Sequence, residues 1–242
     1  MTNKQENRGK MKAKLYGIGT GPGDPELLTI KAVKAIEKCA VIAVPTHSGE
    51  DRTAYSIIEP YAMGKEILEC EFAMSKDMDE RVQARLVAAG RIMDCLDSGK
   101  DVGFITLGDS TTYSTYMYVH EIVVAKGYEA EVIPGVTSYA AAAAALGTAL
   151  CAGDEMLMVI PARHSLDTEA LLDFPGNKVL MKSGANLLKV LDELKARGLS
   201  LNTQIVSRAT MEGQRLYRSI AEFEADPDTG YFTVAIVKED KQ

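Results

Sequence analysis

A glycine- and proline-rich stretch, GIGTGPGDPELLT, occupies positions 17–29, directly after a short apolar run. A dinucleotide-binding loop requires the spacing G-x-G-x-x-G, but the sixth position is Pro22 counted from Gly17 and Asp24 counted from Gly19. Proline lacks the backbone N–H that binds a pyrophosphate, and the carboxylate of Asp24 would repel one. The stretch therefore predicts a loop for a ligand without phosphate groups.

Two later stretches combine small residues with hydroxyl side chains. LGDSTTYST, at positions 107–115, places Asp109 after a glycine and ahead of several serines and threonines. PGVTSYAAAA turns the chain and then offers the hydroxyls of Thr137 and Ser138 at the start of a helix. Each motif alone is also typical of a tight turn or a helix cap. Together, with no lysine placed to bind phosphate, the three stretches predict a site for a nucleoside with a polar, non-phosphorylated appendage.

Strands and helices must alternate around these stretches in the first half of the chain. Apolar runs at 15–19, 40–45 and 67–72 predict strands, and Asp24 followed by Pro25 predicts the start of the first helix. The most regular helix has apolar residues at Val82, Leu86, Ala89, Met93 and Leu96. Short connections between alternating elements predict a parallel sheet, in which ligands bind beyond the carboxyl ends of the strands.

The second half follows a different plan. After about residue 137 the pattern predicts a helix over SYAAAAAALGTAL, strands at 156–160 and 179–181, a helix at 185–198, and strand-like runs at 203–210, 216–223 and 231–237. The last three runs have no helix between them, and MEGQ is the turn of a hairpin. We therefore predict two α/β domains: residues 12–136 with a parallel sheet, and residues 137–242 with a mixed sheet whose edges are antiparallel.

Composition narrows the class of protein. The chain has 242 residues, 46% of them hydrophobic, and a formal net charge of -7, which argues against a nucleic-acid partner or an anionic membrane surface. No apolar run approaches the ~20 residues of a membrane span. Four separated cysteines without a C-x-x-C pair, and no secretory signal, predict reduced thiols in the cytoplasm. The first dozen residues are polar and predict a tail outside the fold.

The motifs resemble those of the tetrapyrrole methylases. The resemblance rests on GIGTGPGDPELLTIKA, on the Gly-Asp loop after the fourth strand and on IPGVTS, and it runs from about residue 14 to 238. It implies two α/β domains with the active site in the cleft between them, a homodimer, S-adenosylmethionine as cofactor and a tetrapyrrole substrate. The details GDPELLTIKA, TYSTYMY, LMKSG and ATMEGQ are most similar to the members that methylate C20 of precorrin-2 or cobalt-precorrin-2 during cobalamin biosynthesis.

The resemblance also implies roles for individual residues. Those implied to bind the cofactor are Pro22, Gly108, Asp109, Thr112, Thr137, Ser138, Met181, Lys182, Ala209, Thr210, Thr233 and Val234. Those implied to face the substrate are Gly21, Pro22, Gly23 and Asp24. Because the substrate carries acetate and propionate groups, we add cations as candidate partners for its carboxylates: Arg52, Lys76, Arg163, His164, Arg208 and Arg215. For most of these, a solvated surface charge is the alternative.

Two stretches of the chain, at Ser110 and at 44–47, depart from the family pattern. Ser110 stands where many members have proline after the Gly-Asp pair, so the local turn is expected to differ. The uroporphyrinogen-methylating members carry an aspartate after the second strand, whereas this chain has Val-Pro-Thr-His at 44–47, which argues against uroporphyrinogen as substrate. The three histidines lack metal-ligand spacing, so no metal is expected. His47 is the candidate for contacting a carboxylate or moving a proton.

Three alternatives remain open on the sequence. The chain could be another tetrapyrrole methylase, acting on a different ring carbon or on uroporphyrinogen III. It could also be a regulatory module that senses a nucleoside without turnover. A nucleotide-dependent dehydrogenase is disfavoured by the failed glycine spacing. A sulfonium methyl group is already activated, so the absence of a Ser-His or Cys-His pair is expected of a methylase.

Overall fold

The computed structural model describes residues 12–46, 52–72, 75, 77–162, 168–225 and 230–239. The chain divides into two compact units, residues 1–136 (unit 1) and residues 137–242 (unit 2). Each unit contains one five-stranded sheet. The predicted fold class, a parallel α/β sheet followed by a mixed one, is confirmed.

Strands and helices alternate in unit 1. The elements are β1 (Lys14–Gly19), α1 (Ile30–Lys38), β2 (Val41–Thr46), α2 (Thr53–Ala62), β3 (Glu66–Glu71), α3 (Met78–Asp97), β4 (Val102–Thr106), α4 (Tyr116–Ala125) and β5 (Glu129–Ile133). All strand pairs are parallel, in the order β3-β2-β4-β1-β5. The loops that follow β1, β4 and β5 therefore leave the sheet side by side at its carboxyl edge.

The helices of unit 1 cover both faces of its sheet. Ala32 of α1 and Ile58 of α2 pack with Ile18 of β1 on one face. On the other face, Ile92 of α3 and Val119 of α4, the helix after β4, lie in the same core cluster as Phe104 of β4. The helix after β1 and the helix after β4 thus lie on opposite faces, although the two strands are neighbours. This arrangement opens a crevice beyond the carboxyl ends of β1 and β4, where ligands bind in open α/β sheets.

The first helix begins later than predicted. Asp24 Oδ1 accepts a hydrogen bond from the Glu26 N–H at 2.8 Å, but it caps only a 3₁₀ turn, Pro25–Leu27. The N-cap of α1 is Thr29, whose Oγ1 accepts from the Ala32 N–H at 3.0 Å. The sequence contains two good capping residues in succession, and local propensity alone does not decide which of them starts the longer helix.

The long helix α3 buries only its second half. Its buried side chains are Ala88, Ala89, Ile92 and Leu96. Val82 and Leu86, which continue the predicted apolar pattern, are 38% and 45% exposed. The apolar pattern of this helix is therefore longer than the part of the core that it covers.

Unit 2 has a mixed sheet. Its elements are α5 (Ser138–Leu146), β6 (Leu157–Pro161), α6 (Thr168–Leu172), β7 (Asn177–Met181), α7 (Leu187–Ala196), β8 (Thr203–Ser207), β9 (Arg215–Tyr217) and β10 (Thr233–Val237), with the strand order β6-β7-β10-β8-β9. β6 and β7 are parallel, whereas β10 is antiparallel to β7 and to β8. The carboxyl ends of β7 and β8 and the amino end of β10 therefore share one edge of the sheet.

Three predictions for unit 2 are corrected. Antiparallel pairing is found at only one edge, where β9 is antiparallel to β8, because the other edge strand, β6, is parallel to β7. The antiparallel strand β10, whose five residues are all buried, lies inside the sheet. Of the run at 216–223, only the end of β9 is strand, and a 3₁₀ turn, Ile220–Glu222, follows. The short helix α6 was not predicted. The alanine-rich α5 packs closely against the sheet, with Ala142 and Ala143 buried.

No helix in the described ranges is both long enough and apolar enough to cross a membrane.

Candidate functional site

The loops after β1 and β4 are joined by backbone hydrogen bonds at the carboxyl edge of unit 1. The Thr20 N–H donates to the Thr106 carbonyl at 2.9 Å. Gly21 and Gly108 then exchange two bonds, Gly21 N to Gly108 O at 3.1 Å and Gly108 N to Gly21 O at 2.7 Å. Both glycines have φ of 76°, a left-handed conformation that favours glycine. These two predicted residues form a rigid floor for the site.

The loop after β5 lies directly against the other two. A Cβ on Gly135 would come within 2.2 Å of the Gly108 carbonyl oxygen and 2.9 Å of Gly19 Cα. A Cβ on Gly19 would come within 2.5 Å of the Gly135 nitrogen. These close approaches are between backbones, so no side-chain movement could make room for a larger residue. The three loops can meet only because their meeting points are glycines.

Gly17, the first glycine of the opening motif, has a structural role. It lies within β1, and a Cβ there would come within 2.0 Å of the ring of Tyr116. Tyr116 is fully buried, and its hydroxyl lies 2.9 Å from His120 Nδ1. The first two glycines of the motif at positions 17–29 therefore have different roles: Gly17 makes room for an aromatic ring, and Gly19 allows contact between backbones.

Asp109 holds the loops together. Its Oδ2 accepts from the Gly135 N–H at 2.9 Å, which ties the loop after β4 to the loop after β5. Its Oδ1 accepts from the Thr111 N–H at 2.9 Å, from the Thr111 hydroxyl, and from Thr112 Oγ1 at 3.2 Å. Burial raises the pKa of this carboxyl, but the four hydrogen bonds outweigh that effect and hold the pKa below its usual value. Asp109 is thus a buried, ionised carboxylate.

Ser110 places a second polar group in this loop. Its side chain is fully buried, and its hydroxyl has no hydrogen-bond partner. A buried hydroxyl without a partner costs free energy, and such groups are few in native structures. Three residues further on, Tyr113 has φ of 50°. The loop that departs from the family pattern at Ser110 therefore contains both an unpaired hydroxyl and a strained residue.

The candidate substrate residues are placed unevenly. Pro22 is buried beside the joined loops and Gly23 is half-buried, whereas the carboxylate of Asp24 caps the following turn. Arg52, directly before α2, forms an ion pair with Glu69 of β3. His47, Lys76, Arg163 and His164 lie outside the described residues.

The predicted residues of unit 2 gather at one edge of its sheet. Met181 is the last residue of β7, Ala209 lies just after the carboxyl end of β8, and Thr233 is the first residue of β10. Thr233 pairs with Ser207 across the sheet, and their buried hydroxyls are 2.9 Å apart. The side chains of Met181, Ala209, Thr233 and Val234 are all buried. Unit 2 thus brings together four of the residues expected to hold the adenine.

Unusual backbone conformations mark the same edge. Lys182, Arg208 and Thr210 have φ of 54°, 53° and 65°. They follow β7 and β8, and two of them are among the predicted cofactor residues. Left-handed backbone is unfavourable for residues with a Cβ and is concentrated at functional sites. Ser183, next to Lys182, adds a buried hydroxyl without a partner. The sequence contained this serine in LMKSG, but its burial is visible only in the structure.

Thr137 and Ser138 stand at the start of α5, as predicted. Thr137 is the N-cap, and its Oγ1 accepts from the Ala140 N–H at 3.4 Å. Among the described residues, no group of three or more His, Cys, Asp or Glu could hold a metal ion. The four cysteines, Cys39, Cys70, Cys95 and Cys151, are free thiols.

Known proteins share the fold and the sequence pattern of this chain. The fold is shared with a uroporphyrin-III C-methyltransferase from Thermus thermophilus, whose structure was solved in complex with S-adenosylhomocysteine. The similarity has a TM-score of 0.68 at 20% identity and covers 94% of this chain and 98% of the other. The sequence profile of the tetrapyrrole (corrin/porphyrin) methylases matches residues 14–223. The chain belongs to this family.

Two relatives are similar over nearly the whole chain. A probable cobalt-precorrin-2 C(20)-methyltransferase from Methanocaldococcus jannaschii is 35% identical over 96% of this chain and 99% of its own length. A precorrin-2 C(20)-methyltransferase from a Sinorhizobium species is 32% identical over 93% of this chain and 94% of its own length. The resemblance inferred from the sequence motifs is confirmed.

Proposed function

We propose that this chain is an S-adenosylmethionine-dependent methyltransferase that methylates C20 of precorrin-2 or cobalt-precorrin-2 in cobalamin biosynthesis. The observation that carries the proposal is the full-length similarity, at 35% and 32% identity, to two relatives named for methylation of that carbon. One of them is named for the cobalt form and the other for the metal-free form. The metal would belong to the substrate and would need no ligand from the protein.

The residues present fit the proposed cofactor. The described loops after β1, β4 and β5 bring together backbone groups and hydroxyls. The loop after β1, from Thr20 to Asp24, contains no basic side chain that could bind a phosphate. Ser110 and Ser183 each hold a buried hydroxyl without a partner. Pro22, Gly108 and Thr112 would hold the methionine and ribose part, with Asp109 fixing the shape of the loop. When bound, the cofactor supplies an electrophilic methyl group.

The remaining cofactor residues extend the same proposal. Thr137 and Ser138 would lie beside the methionine part, and the edge of unit 2 would hold the adenine. The residues proposed for the adenine are Met181, Lys182, Ala209, Thr210, Thr233 and Val234. Four of them, Met181, Ala209, Thr233 and Val234, are buried at this edge, and the other two, Lys182 and Thr210, have left-handed backbone there. Both observations support this assignment.

The chain's own work would be binding and orientation. With an activated methyl donor, the protein has to hold the ring carbon in line and near, and it needs no nucleophile of its own. Gly21, Pro22 and Gly23 carry no charge, which suits contact with a macrocycle. Arg52 would bind a substrate carboxylate after releasing Glu69, its ion-pair partner in this structure. Asp24 keeps its proposed place beside the substrate, but its carboxylate also caps a turn.

Several expectations carry over from the sequence as proposals. They are a homodimer, a location in the cytoplasm, contact of His47 with the substrate, and carboxylate binding by Lys76 and Arg163. The oligomeric state is tested by light scattering on the purified chain, which should give twice the mass of 26.2 kDa.

The experiment that tests the proposed function locates the transferred methyl group. The purified chain is incubated with S-adenosylmethionine carrying a carbon-13 methyl group and with precorrin-2, with and without cobalt in the ring, and the product is examined by carbon NMR. We expect one new labelled methyl group, at C20. Label at another carbon would identify a different methylase of the family. Cofactor binding without any label on the tetrapyrrole would favour a sensing module.

A further inference from the structure

The first half of α3 extends past the core of unit 1. Arg85 lies over the ring of Tyr118, with its Cζ 3.6 Å from the ring centroid, and Tyr118 belongs to the first turn of α4. α3 begins seven residues before Arg85, which at ~1.5 Å per residue is about 10 Å of additional helix. Both helices run from the carboxyl edge of the sheet. The additional turns of α3 therefore project beyond that edge, on the side of the loop after β4.

The inner side of this projecting half is apolar and basic. At ~100° per residue, Met78 and Val82 point within about 20° of the direction of Ala89, which is fully buried. By the same measure, Arg81 and Arg85 point within about 20° of the direction of Ile92, also fully buried. The side that packs on the core further along the helix thus continues outward as two apolar and two cationic side chains.

The acidic residues lie on other sides of the helix. Asp79 and Glu80 point about 80° or more away from both Ala89 and Ile92. Both are exposed. The charges of this segment are therefore separated, with the two carboxylates pointing away from the side of the helix that packs on the core and the two arginines lying on that side.

The two arginines also differ from the other cations near this edge. Arg52 is paired with Glu69, and Arg91 Nη1 donates to the Glu69 carbonyl. Within the described ranges, neither Arg81 nor Arg85 forms an ion pair with a carboxylate; Arg81 makes a 3.4 Å bond to the carbonyl of Asp77. A half-buried guanidinium without a counterion is suited to bind a carboxylate from outside the chain.

We propose that the projecting half of α3 is a contact surface for the tetrapyrrole, with Met78 and Val82 against the macrocycle and Arg81 and Arg85 binding its carboxylates. This inference rests on the proposed function and assigns it residues that the motifs did not indicate. A flat apolar ring with a rim of carboxylates matches a surface on which apolar side chains adjoin cations. The outward-facing Asp79 and Glu80 do not oppose the substrate.

The test compares two double variants with the same change of charge. Arg81→Gln/Arg85→Gln removes the two proposed carboxylate partners, and Lys34→Gln/Lys126→Gln removes two exposed cations from α1 and from the residue after α4. For each protein we would measure KM for precorrin-2 and the dissociation constant of uroporphyrin, a stable tetrapyrrole with eight carboxylates. Titration with S-adenosylhomocysteine checks that the cofactor site is intact.

In the arginine variant we expect KM for precorrin-2 and the dissociation constant of uroporphyrin to rise about tenfold or more, with S-adenosylhomocysteine affinity unchanged. In the lysine variant we expect all three quantities to stay within about twofold of wild type. Arg81→Lys/Arg85→Lys should recover part of the loss because charge is retained. Unchanged KM and uroporphyrin affinity in the arginine variant, with methyl transfer intact in wild type, would overturn this inference and leave the proposed function standing. So would a change of oligomeric state with unchanged tetrapyrrole binding, since the surface would then be an interface between copies. Absence of tetrapyrrole binding or methylation in wild type would overturn both.

Discussion

The carboxyl edges of the two sheets are built by different means. In unit 1 the loops meet through glycines, and Gly19, Gly108 and Gly135 bring backbone against backbone. In unit 2 the corresponding edge bears side chains on left-handed backbone, at Lys182, Arg208 and Thr210. The three meeting points in unit 1 require glycine because backbones touch there, whereas the three positions in unit 2 keep side chains on strained backbone. The comparison predicts that unit 1 tolerates no added atoms and that unit 2 tolerates their removal.

The largest expected effect tests the backbone contact in unit 1. Gly135→Ala would place a Cβ 2.2 Å from the Gly108 carbonyl oxygen, so the loops must separate. We expect a loss of about 3 kcal/mol or more in the free energy of unfolding, by the mechanism of overpacking against atoms that cannot move aside. Urea denaturation measures this loss. S-adenosylhomocysteine affinity should fall at least about tenfold with it.

Gly90→Ala is the matched control. Gly90 lies in α3 and has no atom within 4 Å of the added Cβ. Alanine is the better helix former there, so this variant should be more stable by up to about 1 kcal/mol. Equal effects of the two substitutions would show that the glycine contact has no special role.

The next effect concerns the carboxylate that ties the loops of unit 1. Asp109→Asn replaces one of the two acceptor oxygens by an NH2 group, which faces N–H or hydroxyl donors. We expect the free energy of unfolding to fall by about 2 kcal/mol, as for other buried unsatisfied groups. The folded-state pKa of Asp109 is lowered, so its contribution is present above the unfolded pKa near ~3.9 and is lost as the pH falls through the folded value.

The difference between Asp109→Asn and wild type should therefore narrow below about pH 4. Unfolding curves at pH 7 and at the lowest pH that keeps wild type folded measure this. A constant difference across that range would show that ionisation of Asp109 does not stabilise the loops.

The third prediction has the opposite sign and concerns unit 2. Thr210→Gly removes a Cβ from a residue with φ of 65° and keeps the N–H that donates to Gln214 Oε1 at 2.7 Å. Thr210→Ala is the reference, because it loses the same side-chain contacts and keeps the Cβ. We expect Thr210→Gly to have a free energy of unfolding about 0.5–1 kcal/mol higher than Thr210→Ala, because glycine adopts this conformation without strain. Equal stability of the two variants would contradict the comparison.

The smallest expected effect lies away from both carboxyl edges. Glu131 of β5 bonds Lys14 at 2.7 Å and Lys31 at 2.6 Å, and these bonds lower its pKa to about 2. Glu131→Gln should cost about 0.5 kcal/mol at pH 7, because these pairs are partly exposed and screened. The cost should disappear as the pH falls from about 4 toward 2, because the bonds that lower the pKa of Glu131 stabilise the folded state only while the carboxylate is ionised. Cofactor affinity should not change.

The sequence predicted the loops of the site better than it predicted their contacts. Glycine spacing identified the loop after β1, but only the structure separates Gly17, which packs on Tyr116, from Gly19, which meets Gly135. Local patterns carry no information on strand order, so the approach of the loops after β1, β4 and β5 could not be read from them. The resemblance to a family supplied the residues of unit 2, where a Cβ on Gly230 would come within 3.0 Å of the Gly184 carbonyl oxygen although the two glycines lie far apart in the sequence.

The helices show the same limit. The apolar periodicity of α3 predicted the helix but gave no sign that Val82 lies past the end of the core, because periodicity does not report where the sheet stops. The sequence pattern therefore does not single out Arg81 and Arg85 as carboxylate partners. The predicted partner Arg52 is paired with Glu69 in the structure.

The proposed site holds its cofactor by backbone groups and hydroxyls, without contacts to phosphate. Calorimetric titration of the intact chain with S-adenosylhomocysteine, NAD and ATP tests this most directly. We predict saturable binding of S-adenosylhomocysteine at one site per chain and no binding of the two phosphate-bearing nucleotides at the same concentrations. Binding of NAD or ATP at least as tight as that of S-adenosylhomocysteine, or no uptake of S-adenosylhomocysteine, would contradict the account.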